Sequence, residues 1–163
     1  MTRFDPWFGV CVLIAAIGSG LNAGVFFAFS TFVIRALGRL PVPQGIAAMQ
    51  SINVTAINPL FMGVFMGTAL VCLVAGVGAV RLWGKPGAIL ILIGVLLYLL
   101  GTFLVTIVGN VPLNDSLAAV KTEDPASAAV WSDYLNRWNA WNHVRTVSSL
   151  GAAVCFTLAL RPV

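Results

Sequence analysis

The chain has 163 residues, 60% of them hydrophobic and 9% charged, with a mean hydropathy of +0.98. A soluble domain carries about 25% charged residues, so a chain this apolar cannot cover its surface in water, and lipid is its solvent. The net charge of +4 rests on Lys and Arg scattered over loops and helix ends, without a basic run or face, which reads as topology and headgroup signals and excludes nucleic-acid binding.

The stretch from Pro6 to Ile34 has no formal charge and exceeds the ~20 residues needed to cross the hydrocarbon core. It predicts a first span over about residues 8–34, too long for the apolar region of a cleavable signal peptide. Residues 41–57, opening Pro41-Val-Pro43, read as a turn and a short amphipathic helix. Asn58 then suits an N-cap and Pro59 a first helical turn, starting a second span over 58–80. The turn Arg81-Leu-Trp-Gly-Lys85 leads to a third span over 87–109, which has few polar side chains between Gly87 and Val108.

Beyond it, Asn110 and Asn114 flank Pro112 and read either as a helix C-cap and turn or as members of a site. Lys121-Thr-Glu-Asp-Pro125 is a turn. A helix follows, with Trp131, Leu135, Trp138 and Asn142 at i, i+4, i+7 and i+11; Trp131, Trp138 and Trp141 suit a belt at headgroup level. The last charge-free stretch, Thr146 to Leu160, has 15 residues. At about 1.5 Å per residue it covers roughly 22 Å of a ~30 Å core. It crosses only as a span over 142–161 that draws Asn142, His143 and Arg145 into the membrane boundary.

These readings predict one all-α domain, an integral membrane four-helix bundle with short amphipathic, interfacial helices on one side. An even number of spans puts both termini on one face, and the acid-free turn at 81–86, with Arg3 and Arg161, favours the cytoplasm. In a bacterium the membrane would be the inner one. Gly20-Leu-Asn-Ala-Gly24 and Gly63-Val-Phe-Met-Gly67 are both GxxxG, which lets helix backbones approach closely. Packing within the chain is the favoured reading, with a homo-oligomer face as the alternative. Asn22, mid-span, needs a hydrogen-bond partner and reads as packing glue or as function. Cys11, Cys72 and Cys155 lie in apolar helices without a metal or CxxC spacing, as small packing residues.

At the presumed outer end four segments converge by topology. The first span exits at Arg35, the second enters at Asn58, the third exits at Asn110 with Asn114 four residues on, and the fourth enters through Asn142, His143 and Arg145. Asn139, Asn142, His143 and Thr146 share one face by helical spacing. Ionisable groups at membrane depth are expensive and point to function, although Arg35 and Arg145 also suit snorkelling to phosphates, and His143 a neutral bond to a carbonyl. No carboxylate pair supports glycosidase or aspartic-protease chemistry. A single His without Cys or carboxylate neighbours does not make a zinc or iron site, and no cofactor is called for. Haem with His143 as its axial ligand is the alternative. What remains is proton chemistry, with His143 as base and Arg145 with Asn donors stabilising an enolate or phenolate.

The runs Ala23-Gly-Val-Phe-Phe-Ala-Phe-Ser30, Ala48-Met-Gln-Ser-Ile-Asn53, Asn58-Pro-Leu-Phe61, Asn110-Val-Pro-Leu-Asn114 and Trp138-Asn-Ala-Trp-Asn-His-Val-Arg145 resemble the anthrone oxygenase family of small four-helix membrane proteins. The match runs in order over nearly the whole chain, with Asn-Val-Pro-Leu-Asn and Trp-Asn-His-Val-Arg as its specific parts. The resemblance implies oxidation of a lipophilic phenolic, anthrone-like molecule by O2. His143 and Arg145 would be catalytic, and Asn53, Asn58, Asn110, Asn114, Asn142 and Arg35 substrate-binding. The expected partners are a lipophilic aromatic small molecule and membrane lipids. Two rival classes stay open: a haem- or quinone-binding redox protein, and a small transporter or lipid-binding protein without chemistry.

Overall fold

The computed structural model describes residues 5–124 and 126–161. Arg3 and Pro125, used in the topology and turn readings, lie outside the described residues. Among those described there are five continuous helical segments and no strand. They are α1 Pro6–Leu37, α2 Val42–Thr55, α3 Pro59–Arg81, α4 Ala88–Ala118 and α5 Ser127–Ala159. Helices α1, α3 and α4 are each long and apolar enough to cross a bilayer; the protein is an all-α integral membrane protein. Helix α5 is the longest at 33 residues, but Asp133, Arg137, His143 and Arg145 interrupt its apolar character.

Local sequence explains where the helices start. Asp5 accepts from the Trp7 backbone N–H at 3.0 Å, and Pro6, with no N–H to satisfy, fills the first turn of α1. Asn58 does the same for α3, its Oδ1 accepting from Leu60 and Phe61 N–H at 3.1 and 3.0 Å. Helix α4 does not stop near Asn110 as expected but runs on through Pro112 to Ala118. A proline inside a helix lacks a donor and collides with the carbonyl four residues back. The turn just before it, Thr106–Asn110, is wound as π-helix, and this wider winding accommodates the ring. Further π-helical segments lie at Phe29–Val33 in α1 and Leu97–Leu104 in α4.

The four long helices form a ring in which α1 and α4 each pack against α3 and α5. Its core is built mainly from small and branched residues, among them Val12, Ala15, Ala69, Cys72, Ala75 and Ile91, around the rings of Tyr98 and Phe156. Close approach comes from glycines other than the GxxxG pairs. Gly18 lies against Thr68, Gly94 against Phe156 and Gly101 against Ser148, whereas Gly20, Gly24, Gly63 and Gly67 have open space where a Cβ would go. The expectation that GxxxG packs helices within the chain is therefore corrected: both motifs face outward. Asn22 is packing glue. Its Nδ2 donates to the Gly18 carbonyl at 2.9 Å and to Tyr98 Oη at 3.0 Å, and Tyr98 donates to the Phe65 carbonyl at 2.9 Å. Three helices are tied by one chain of bonds in a region where lipid offers no alternative partner.

A second core sits at the end that holds α2. Ile34, Leu37, Ile46, Met49, Leu117, Trp131, Tyr134 and Trp138 bury one another there. Trp131 and Trp138 are only 3% and 5% exposed, while Trp141 is 40% exposed. Of the three belt candidates only Trp141 presents its ring outward. The other two rings face inward because α2 and the end of α4 cover that side of α5. Gln50 on α2 anchors this cover, donating to the Leu117 and Val120 carbonyls at 2.9 and 3.2 Å.

Candidate functional site

Arg145 lies on the inner face of α5, between the two cores, and is 6% exposed. Its Nη2 donates to Asn142 Oδ1 at 2.6 Å and its Nη1 to Thr106 Oγ1 at 3.3 Å, while the buried Nε has no partner. The guanidinium carbon stands 4.3 Å from the centroid of the Phe26 ring and 5.2 Å from that of Trp138. Among the described residues one ion pair occurs, Arg137 with Asp133 at 3.2 Å on the exposed side of α5, and it does not involve Arg145. Arginine keeps its proton in proteins. Burying it without a counter-ion costs several kcal/mol, of which two aromatic faces and two hydrogen bonds return only part.

Asn142, fully buried one turn upstream, fixes this group to α1. Its Nδ2 donates to the Phe26 carbonyl and to Ser30 Oγ, both at 2.7 Å, where α1 passes into π-helix. Ser30 and Thr146 hydroxyls lie 3.1 Å apart. From α4, Asn110 donates to the Trp138 carbonyl at 3.1 Å, and its buried Oδ1 is unpartnered. Asn114 Oδ1 accepts from Tyr134 Oη at 2.9 Å and from Trp138 Nε1 at 2.8 Å. Asn53 on α2 lies beside the same Tyr134 hydroxyl. Burial pushes that hydroxyl above the usual tyrosine range, against the opposing pull of Asn53 and the Arg145 charge.

The expected site therefore divides. Arg145, Asn142, Asn110, Asn114 and Asn53 belong to one connected neighbourhood, joined by Tyr134 and Trp138. Three residues are placed elsewhere. Arg35 is exposed at the end of α1. Asn58 is occupied as the α3 cap and by a bond to the Thr55 carbonyl at 3.0 Å. His143 is exposed, its Nε2 lying 3.4 Å from Asn139 Nδ2. The face shared by Asn139, Asn142, His143 and Thr146 is about 100° wide. Its Asn142 edge turns inward and its His143 edge outward, so the two do not meet one cavity.

Sequence reasoning missed Phe26, Ser30, Thr106 and Tyr134. One signal was available. Tyr98, Thr102, Thr106 and Asn110 recur every four residues in α4, and their partners come from two other helices: Asn22 on α1, and Ser149, Arg145 and the Trp138 carbonyl on α5. Every fourth residue drifts about 40° around a 3.6-residue helix. The π-helical winding of 97–104 and 106–110 turns less per residue and keeps the row inward. A count of polar residues hides that row; their phase reveals it.

A shallow apolar groove of about 440 Å3 runs between α3 and α4, lined by residues such as Leu73, Val77, Val80 and Leu92. It lies at the Arg81 end, away from Arg145, and offers no polar chemistry beyond that arginine. Residues 61–155, more than half of the chain, match the family model described as Anthrone oxygenase. The matched region holds Thr106, Asn110, Asn114, Tyr134, Trp138, Asn142 and Arg145; Phe26, Ser30 and Asn53 precede it. No curated protein and no solved structure matches the chain.

Proposed function

The chain belongs to the anthrone oxygenase family, and from that premise we propose a membrane-embedded oxygenase-like enzyme that oxidises a lipophilic phenolic, anthrone-like substrate with O2. The observation that carries this reading is Arg145, a buried cation between two aromatic faces, with a free Nε and no carboxylate paired with it among the described residues. An electron-rich ring system that develops negative charge during oxidation supplies the missing counter-charge. Preorganised donors aimed at developing charge are commonly the largest single contribution to catalysis. In this reading α5 makes the fourth crossing over 142–161, so that Arg145 lies at the membrane boundary and the substrate enters from lipid.

The chemistry balances without a further co-reactant. The ring methylene carbon loses a proton, and the resulting anion, delocalised onto the ring oxygen, is held by Arg145 with Asn142 and Asn110 beside it. Its electrons pass to O2, and a carbon–oxygen bond forms, giving a hydroperoxide after protonation. Loss of the second carbon-bound proton then breaks the oxygen–oxygen bond. One oxygen stays as the new ring carbonyl, and the other leaves as water with both hydrogens. His143, on the exposed side of α5, takes up the proton at the rim rather than beside Arg145.

The test is aerobic turnover of an anthrone by purified protein in detergent. Arg145→Gln is expected to lose about 100-fold or more, the size typical of removing a charge-stabilising donor, and His143→Ala about tenfold or less. Wild-type turnover no faster than spontaneous oxidation, or an Arg145→Gln protein as active as wild type, defeats the reading. The absorption spectrum of the same preparation addresses haem: a Soret band lost in His143→Ala would replace this mechanism with a haem-based one.

A further inference from the structure

The reaction above requires a proton to leave the ligand, and the surroundings of Arg145 hold no group suited to receive it. Helix α1 presents Phe26 and Ser30, and α4 presents Thr106 and Asn110, none of which titrates near neutrality. Helix α2 contributes Asn53 through Tyr134. On α5 itself the neighbours are Asn142, Trp138 and Tyr134, whose hydroxyl burial keeps protonated. His143 is exposed and faces Asn139. Among the described residues the cluster is thus a cation without a base.

We infer that the Arg145 cluster selects its ligand by acidity, capturing a planar phenol or enol as the anion formed before or during entry and drawing that ligand's ionisation to lower pH. The inference rests on the reading of an anthrone-like ligand at this site. Two effects oppose each other. Desolvation of a phenol favours its neutral form, whereas a cation within contact favours the anion. Here the cation decides the sign, because the fold already bears the cost of one buried charge. A neutral ligand leaves that charge uncompensated, while an anion removes it. The free Nε and the aromatic faces of Phe26 and Trp138 suit an oxygen anion on a flat ring. The proton is released to water or His143 at the rim, and neutral polycycles of the same shape bind more weakly.

The experiment is a spectrophotometric titration of 2-hydroxyanthraquinone, a chromophore whose colour reports ionisation, with purified protein in detergent. Empty micelles and anthraquinone without the hydroxyl are the controls. An opposite charge in contact lowers an acid by about one to three pH units, and a shift of that order is expected on binding. Arg145→Gln should abolish the shift, Arg145→Lys should restore part of it, and His143→Ala should leave it unchanged. A wild-type ionisation unshifted or raised relative to micelles overturns the inference, as does a shift that persists in Arg145→Gln. Turnover separates the two readings: oxidation without a shift removes anion capture and keeps the oxygenase, and a shift without oxidation does the reverse.

Discussion

Asn142 accepts from Arg145 at 2.6 Å with one end of its carboxamide and donates to α1 at 2.7 Å with the other. A single side chain therefore both aims the buried cation and fastens α5 to α1, which neither an aliphatic residue nor a carboxylate can do. Asn142→Ala should lower thermal stability in detergent by about 1–3 kcal/mol, the cost of leaving buried polar groups unpaired. It should also weaken ligand binding. An unchanged melting temperature would show that the bridge contributes nothing.

Thr106 tests the missing counter-charge from inside the protein. Its hydroxyl is 3.3 Å from Arg145 Nη1, so Thr106→Asp places a carboxylate beside the unpaired guanidinium. A buried pair repays its desolvation far better than a lone charge. The variant should fold and melt no lower than Thr106→Asn while losing at least about tenfold in anion affinity, as about 1.4 kcal/mol of competition implies. Retained affinity would mean that the ligand does not use the Arg145 charge.

The glycines divide into two classes that a small substitution distinguishes. A Cβ at Gly109 would sit 2.7 Å from the Trp141 ring, and one at Gly101 would strike Ser148, whereas one at Gly20 or Gly63 meets nothing within 4 Å. Gly101→Ala and Gly109→Ala should destabilise the protein by about 1–3 kcal/mol through overpacking. Gly20→Ala and Gly63→Ala should leave the melting temperature of the single chain within error. If the outward GxxxG faces join two copies, these last two changes will instead shift the oligomeric state measured by light scattering in detergent.

Tyr134 predicts the alkaline behaviour. Burial raises its folded value above the ordinary tyrosine value of about 10. Below that ordinary value both states keep the proton, and the residue adds no pH dependence. Above it the unfolded chain releases a proton that the folded chain retains, so stability falls as pH rises. Tyr134→Phe should flatten the loss of stability above pH ~10. Trp138 Nε1 still donates to Asn114 Oδ1 at 2.8 Å in that variant, which limits the cost near neutrality. An identical alkaline slope in both proteins would contradict this account.

Much of the architecture is legible in order along the chain. The uncharged run from Pro6 to Ile34, the Asn58-Pro59 start and the stretch after Gly87 each announce a helix, because crossing lipid demands length and apolarity from a single segment. The shortness of Thr146–Leu160 likewise draws attention to Asn142 and Arg145, since no local reason exists to place such residues beside an apolar run. Capping by Asn58 is local too, set within three residues by its bonds to Leu60 and Phe61.

Facing is another matter. Whether Arg145 looks inward and His143 outward depends on the angular phase of α5 against α1 and α4, and a stripe about 100° wide has no marked centre until its neighbours are placed. Pro112 reads as an end of helix because proline breaks regular winding, yet the π-helical turn at Thr106–Asn110 absorbs it and carries Asn114 up to Tyr134 and Trp138. The GxxxG glycines have the right spacing and the wrong face. A helical membrane protein with polar groups gathered at one end is readable from the residues alone, because solvent choice and helix length are properties of single segments. That those groups form a lone buried cation without a base emerges only when the helices are packed, because pairing and burial are relations between segments far apart in the chain.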